Sequence, residues 1–360
     1  MSGRLRVDLA ALQSNYRTYQ QAGRGSEVGA VVKADAYGLG CTEVARALAA
    51  IGCRTFFVAN PEEGAQLRSI LVEPDIFVLA GVPPGSLDTL VSNRLTPVIN
   101  DPAQLEAWRG HAHLPIAVHV DTGMSRLGFP EDVAPGQFAG FNIVLLISHF
   151  ACADEPDSPL NHQQIAAFRA LTARFPGIRT SLGSSAAWLQ GEGFQGDLGR
   201  PGIGLYGGRP FGFPGGREST ANGPIEALVP EVVARFEAPV LQVRDVAAGD
   251  SIGYGASYVA ERDMRIAIVG CGYADGVPRR LSNNGSLAFN ECLCPIVGRV
   301  SMDMTNVDIT SCPRSPKPGD WLEVFGDVVS VDQVAEWAET ISYEVLTGIR
   351  PRVARHYHWG

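Results

Sequence analysis

The first half of the chain alternates short apolar runs with helix-patterned segments, and nothing else in the sequence restricts the fold as strongly. Strand-like runs stand near 28–33, 55–59, 76–79, 95–99, 115–120, 142–148 and 179–182, with a possible eighth near 196–200 in the glycine-rich "QGDLGRPGIGLYGG". Between them lie helical patterns such as "CTEVARALAAIG" (41–52), "PEEGAQLRSIL" (61–71) and "NHQQIAAFRALTARF" (161–175). The second of these has Pro61 at a first helical position and acids in its first turn, a common helix start. Strands alternating with helices predict a parallel sheet. Seven or eight such units predict an α/β (β/α)8 TIM-like barrel. A doubly wound open sheet would read similarly, but no GxGxxG follows the first strand to favour it.

After "GGRPFGFPGGRESTANGPIEALVP" (207–230), a Gly- and Pro-rich linker, the pattern changes. "VVARFEAPVLQVRDV", "MRIAIVG", "CPIVGRVSMDMTNVDI" and "DWLEVFG" are strand-rich and broken by turns such as "AAGD" and "KPGD". The expected organisation is a barrel over 11–229 and a smaller, mainly-β domain over 230–360. Residues 1–10 precede the first barrel strand and form a candidate strand of the β domain.

A barrel of this kind builds its site at the C-terminal ends of the strands. The polar residues that close the apolar runs are therefore the candidates. Lys33 closes the first run, "HVDTGMSRLG" (119–128) the fifth, His149 the sixth, Ser184 and Ser185 follow the seventh, and Arg200 ends the eighth. Taken singly each has an ordinary explanation. A lysine after a strand is usually a snorkelling surface residue. "GSSAA" is a common helix N-cap, a lone arginine is usually an ion-pair partner, and a lone histidine is usually satisfied in the core. Their joint placement in one bowl argues for chemistry. A desolvated lysine can form a Schiff base. Barrels commonly bind phosphate after strands seven and eight, where Ser185, Gly202 and Ile203 fall. A Schiff-base lysine opposite a phosphate site points to pyridoxal phosphate, with Arg200 toward the ring nitrogen.

The chain resembles alanine racemases, a fold type III family dependent on pyridoxal phosphate, along nearly its whole length. "AVVKADAYGLG" resembles the cofactor-lysine signature, and "HVDTGMSRLGF", "ISHFACAD", "GRPGIGLYGG", "SIGYGASY", "GCGYADGVPRRLSNNG" and "GRVSMDMTNVDI" resemble further blocks in order. The resemblance implies a PLP-dependent isomerase that interconverts L- and D-alanine by a two-base mechanism. It would supply D-alanine for peptidoglycan from the cytoplasm. Lys33 would carry the cofactor and act as one base, and Tyr254 would be the other, reaching in from a partner subunit of a homodimer. Tyr37, Ser185, Gly202 and Ile203 would bind the phosphate. Arg126 would contact the phenolic oxygen and the substrate, Arg200 the ring nitrogen, and His149 would bond Arg200 or Tyr254. Met302 would contribute to the substrate-carboxylate pocket, and Asp154, Tyr273, Arg279, Arg299 and Asp303 would line the entrance. Lysine and tyrosine both have reference pKa values near 10, so both need lowering, and cationic neighbours would favour the phenolate of Tyr254.

Three positions depart from the family pattern. His119 stands where many members have a carbamylated lysine, so His119 itself, an anion or a water must orient Arg126. Ser184 replaces an asparagine before the phosphate serine. Pro351 stands where some members have a phosphate- and gate-contacting tyrosine; Tyr343 and Tyr357 are nearby without being equivalent.

Composition removes other classes. A net charge of −9 without a Lys/Arg run argues against nucleic acid or an anionic membrane as partner. With 45% hydrophobic and 19% charged residues the chain can bury a large core. "FNIVLLISHF" is too short to span a bilayer, and "MSGRLRVDLAAL" has no signal-peptide pattern. Seven cysteines without a CxxC pair read as reduced thiols, and Cys292 and Cys294 are too close for an ordinary metal knuckle, so no metal is expected. Three rival activities share much of this pattern: racemisation of another or a broader set of amino acids, a fold-related decarboxylase, and a pyridoxal-phosphate carrier. A decarboxylase would pair the ring nitrogen with a carboxylate rather than Arg200, and a carrier would not need the β domain.

Overall fold

Strand β1 (Arg4–Asp8) runs straight into an α-helix, Leu9–Ala22. Asp8 ends the strand and caps the helix, its carboxylate accepting from the N–H groups of Ala10 and Ala11. The computed structural model describes residues 3–211 and 229–360. Of the linker stretch 207–230, residues 212–228 lie outside that description, as do residues 1 and 2.

The barrel begins with β2 (Glu27–Val28) and β3 (Ala30–Val31), two short strands separated by Gly29. A Cβ on Gly29 would press on the Thr55 carbonyl and the Phe57 ring, so the close approach there needs glycine. Then follow β4 (Thr55–Val58), β5 (Asp75–Val78), β6 (Thr96–Ile99), β7 (Pro115–His119), β8 (Asn142–Ile147), β9 (Arg179–Ser181) and β10 (Leu198–Gly199). Strands β3 to β9 form one parallel sheet in sequence order. β10 pairs in parallel with β2, and bridges at Ser184–Arg200 and Ser181–Gly196 close the seam to β9. Each of the seven runs expected from the sequence, and the uncertain eighth, contains a barrel strand. β4, β6 and most of β7 are buried throughout, as strands covered on both faces must be.

Trp188 supports the seam from outside. It lies against Gly199, is fully buried, and its indole N–H donates to the Tyr19 carbonyl at 2.9 Å. Truncating a buried tryptophan of this kind costs about 3–5 kcal/mol.

The chain after residue 229 is mainly β. It contains β11 (Ala234–Val246), β12 (Ser251–Ile252), β13 (Tyr258–Val259), β14 (Met264–Val269), β15 (Ser286–Phe289), β16 (Cys292–Pro295), β17 (Thr305–Asp308), β18 (Trp321–Phe325) and β19 (Ala354–His358). β1 lies between β11, antiparallel, and β19, parallel. The N-terminal strand thus ties the two ends of the chain together. Two short helices, Val331–Trp337 and Ser342–Thr347, return toward the barrel mouth. Among the described residues no helix is long and apolar enough to cross a membrane.

Candidate active site

Lys33 emerges at the C-terminal end of β3 and starts a five-residue helical turn, Lys33–Tyr37. The turn is left-handed: Ala34, Asp35, Ala36 and Tyr37 all have φ between 53° and 56°. That conformation costs roughly 1–2 kcal/mol per non-glycine residue and occurs preferentially at functional sites. Local bonds offset it. The Glu63 carboxylate accepts from the N–H of Ala34 at 2.8 Å and of Ala59 at 2.7 Å. Asp35 Oδ1 accepts from the N–H of Cys41 at 2.7 Å, starting the next helix. Burial lowers the Lys33 pKa, and the charges of Arg126 and Arg200 lower it further against the opposing pull of Glu63.

Arg200 follows β10 and is 6% exposed. Its guanidinium donates to Ser181 Oγ at 2.6 Å, to the Ser148 carbonyl at 2.7 Å, to His149 Nδ1 at 3.3 Å and to the Leu182 carbonyl at 3.4 Å. No carboxylate is among these partners. Arginine can only donate, so His149 Nδ1 is the acceptor in that pair. Burial lowers Arg200 to about 10, which leaves it charged at neutral pH. His149 is driven well below its ordinary value by burial and then by Arg200, Arg126, Lys33 and His119, so it is neutral.

Ser185 opens the short helix after β9, and its Oγ accepts from the N–H of Gly202 at 2.8 Å and of Gly204 at 3.4 Å. A Cβ on Gly202 would overlap Tyr37 Oη, and one on Gly204 would overlap Tyr19 Oη. Tyr19 Oη is buried and lies beside Ser185. Ile203 begins the following 3-10 turn and is fully buried. Two hydroxyls, a serine oxygen and two glycine N–H groups therefore converge on one small polar cradle.

Arg126 lies on an exposed loop after β7. The loop is shaped by Asp121, which accepts from the N–H groups of Gly123 and Met124, and by Ser125 at φ 56°. Its charge reaches Lys33, His119 and His149.

The remaining candidates lie on other segments of the chain. Tyr254 starts a 3-10 turn between β12 and β13 and is 71% exposed. Arg299 lies beside Gly255 in that turn. Tyr273 and Met302 sit on two loops joined backbone to backbone, with Tyr273 N–H donating to the Ser301 carbonyl and Ala274 N–H to the Met302 carbonyl, both at 3.0 Å. Asp303 accepts from Arg352, which also grips the fully buried Asp275. Arg279 is exposed on a 3-10 turn, and Asp154 is partly buried after β8 with its pKa raised by burial. One chain thus brings Lys33, Tyr37, His149, Ser185, Arg200, Gly202 and Ile203 together, and presents Tyr254, Tyr273, Arg299, Met302 and Asp303 on its β portion.

Three residues absent from the sequence-based candidates join the site. Glu63 supports the Lys33 turn; its signal is the capping pattern "NPEE", in which Asn60 caps the N–H of Glu63 at 2.9 Å. Asn100 bonds His119, and it closes the run "LTPVIN" just as His149 closes its own. Tyr343 comes from the β portion and places its ring 5.8 Å from that of Tyr37. No local pattern marks it. Pro351 has no such contact to offer, while Tyr357, on β19, donates to the Leu39 carbonyl at 3.0 Å.

The N-terminal domain model of alanine racemase matches residues 7–210, and the C-terminal domain model of alanine racemase matches residues 233–357. An alanine racemase of Jannaschia sp. (strain CCS1) is 44% identical over 362 residues, covering 98% of each chain. The crystal structure of alanine racemase from Bartonella henselae with covalently bound pyridoxal phosphate has a TM-score of 0.91 at 36% identity, covering 99% of this chain and 100% of that one. The biosynthetic alanine racemase from Pseudomonas aeruginosa has a TM-score of 0.89 at 35% identity over 99% of this chain and 100% of that one. The strand-end lysine, the buried arginine and the serine–glycine cradle thus lie in a chain whose two halves both match one family: this protein belongs to the alanine racemase family.

Proposed function

We propose that this enzyme interconverts L- and D-alanine with pyridoxal phosphate as cofactor, using Lys33 and Tyr254 as the two proton-transfer groups. The observation that carries the reading is Arg200, buried at the barrel mouth beside Lys33's strand end, with neutral partners only. The cradle of Tyr37, Ser185, Gly202 and Ile203 fits a phosphate, since the Tyr37 and Ser185 hydroxyls meet there beside a glycine on which a Cβ would not fit. When bound, the cofactor supplies the electron sink that acidifies the Cα–H bond of an attached amino acid.

The residues supply everything else. Lys33 would hold the cofactor, and its lowered pKa, which leaves more of it as free base, suits it to hold or remove a proton at Cα on one face. Tyr254 of the partner subunit does the same from the opposite face, so the substrate need not rotate. Arg200 stays protonated and would face the ring nitrogen, where it would keep the sink weak and discourage transamination. His149 accepts from Arg200 and fixes its orientation. Arg126 orients the phenolic oxygen and the substrate carboxylate, Met302 of the partner subunit completes that pocket, and Asp154, Tyr273, Arg279, Arg299 and Asp303 form the entrance.

A homodimer follows from the same reading. Tyr254, Met302, Met304 and Tyr273 are 71%, 54%, 45% and 40% exposed, an apolar set that a second copy's barrel mouth would cover. The reading divides the chain into a barrel over 11–229 and a β domain over 230–360, with residues 1–10 attached to the latter. Its seven free cysteines suit the reducing cytoplasm, where D-alanine would be supplied for peptidoglycan.

The test is incubation with L-alanine and pyridoxal phosphate in heavy water, followed by chiral separation and mass analysis. D-alanine carrying deuterium at Cα is the expected product. Carbon dioxide and an amine would replace the reading with a decarboxylase. Unchanged alanine would move it to other amino acids.

A further inference from the structure

Cys292 and Cys294 lie two apart on β16, so both side chains point to the same face, while Leu293 between them is 49% exposed. Cys312 comes from the turn after β17 and meets them there. Its Sγ is 2.7 Å from that of Cys292 and 3.4 Å from that of Cys294, and all three sulfurs lie within 4.8 Å of one another. The long-range partner is what the sequence spacing conceals, since Cys294 and Cys312 are 18 residues apart. We infer that Cys292, Cys294 and Cys312 form a three-coordinate thiolate site for a soft monovalent cation, copper(I).

Ligand type and number select the ion. Three thiolates with no fourth protein ligand among the described residues suit a soft ion that accepts trigonal coordination. Structural zinc sites instead use four protein ligands. The neighbouring carboxylate of Asp308 is committed elsewhere, accepting from Arg262 at 3.1 Å and from the N–H of Thr310 at 2.8 Å. An ion about 2.3 Å from each of three coplanar sulfurs would hold them about 4 Å apart. The observed spacings reach that by small side-chain rotations. Binding would release the thiol protons, since the thiolate is the ligand form. Cys294 is fully buried, whereas Cys292 and Cys312 are partly exposed, which leaves an entry path.

The location gives the site a consequence. The segment between β16 and β17 carries Arg299, Met302 and Asp303. An ion joining β16 to the turn after β17 would tie the two ends of that segment together, and bound ion would stabilise the fold by mass action.

The test uses the full-length chain with its pyridoxal phosphate, reduced and handled without oxygen. Copper(I) is titrated against a chromophoric copper(I) chelator, and the bound ion is read by thiolate charge-transfer absorption and X-ray absorption. One equivalent bound by three sulfurs is expected. Cys292→Ser and Cys312→Ser should each weaken binding by at least about 100-fold. A triple Cys292→Ser, Cys294→Ser, Cys312→Ser variant should take up no copper while keeping racemase activity. Equal copper uptake by the triple variant would overturn the site. So would zinc bound as tightly as copper(I), or a Cys292–Cys312 disulfide that persists under the reducing conditions.

Discussion

His119 Nδ1 lies 2.7 Å from Asn100 Oδ1, and this contact fixes which ring nitrogen carries the proton. The Asn100 amide nitrogen donates to the carbonyls of Val98 at 2.8 Å and Leu79 at 3.1 Å, so its oxygen must accept. His119 Nδ1–H is therefore the donor and Nε2 is left as an acceptor. Burial, with Arg200 and Arg126, lowers His119 to about 4 from an ordinary 6.5. Between those values the unfolded chain binds more protons, so stability rises with pH, is complete above about 6.5 and is lost as pH falls toward 4. The full span is worth about 3 kcal/mol at most. His119→Gln should flatten the fall in denaturant-unfolding free energy between pH 7.5 and 5 by about 2 kcal/mol relative to the parent. His149 acts in the same direction in both proteins and largely cancels in the difference, since His119 is the smallest of the causes that lower it. Parallel pH profiles would rule out a His119 held neutral by the fold.

Tyr254→Phe should leave cofactor bound and the fold unchanged, because the side chain is 71% exposed in the single chain. L-to-D turnover should fall by about 10²–10⁴, the usual contribution of one acid/base group. Turnover equal to the parent in both directions would remove Tyr254 as a base. Lys33→Ala should abolish the Schiff-base absorption of the cofactor.

Arg200→Glu places a carboxylate where Ser181, the Ser148 carbonyl and His149 now meet a cation. A carboxylate partner strengthens the electron sink. Pyruvate formation from alanine, normalised to bound cofactor, should rise by about tenfold or more while racemisation drops. No pyruvate from a cofactor-loaded variant would refute the weak-sink argument.

Gly202→Ala puts a methyl group into Tyr37 Oη. Cofactor affinity should weaken by about tenfold, measured by spectroscopic titration, and the Gly202→Ala, Tyr37→Phe pair should recover part of the loss. Contacting residues typically couple by 0.5–3 kcal/mol. A purely additive pair would show that the overlap is relieved some other way.

The barrel was legible because each strand announces itself locally. An apolar run of strand length between helical patterns needs no knowledge of its neighbours, and the residue that closes the run inherits a position in the bowl. That logic reaches Lys33, His149, Ser185 and Arg200. It stops at the Lys33 turn, where "KADAY" holds no glycine to announce four left-handed residues. Glu63 and neighbours that bond across the turn hold it there, and those bonds form only after the strands pair.

From the sequence alone come the fold class, the order of the strands and the chemical types at their ends, all set by periodicity and by resemblance along the chain. Only the tertiary structure decided that Asn100 holds His119, that Tyr343 reaches Tyr37, and that Cys312 meets Cys292 and Cys294. Local propensity acts over a few residues, whereas these contacts join segments that meet only when the core is packed, and side-chain partners there follow from shape and burial rather than from spacing in the chain.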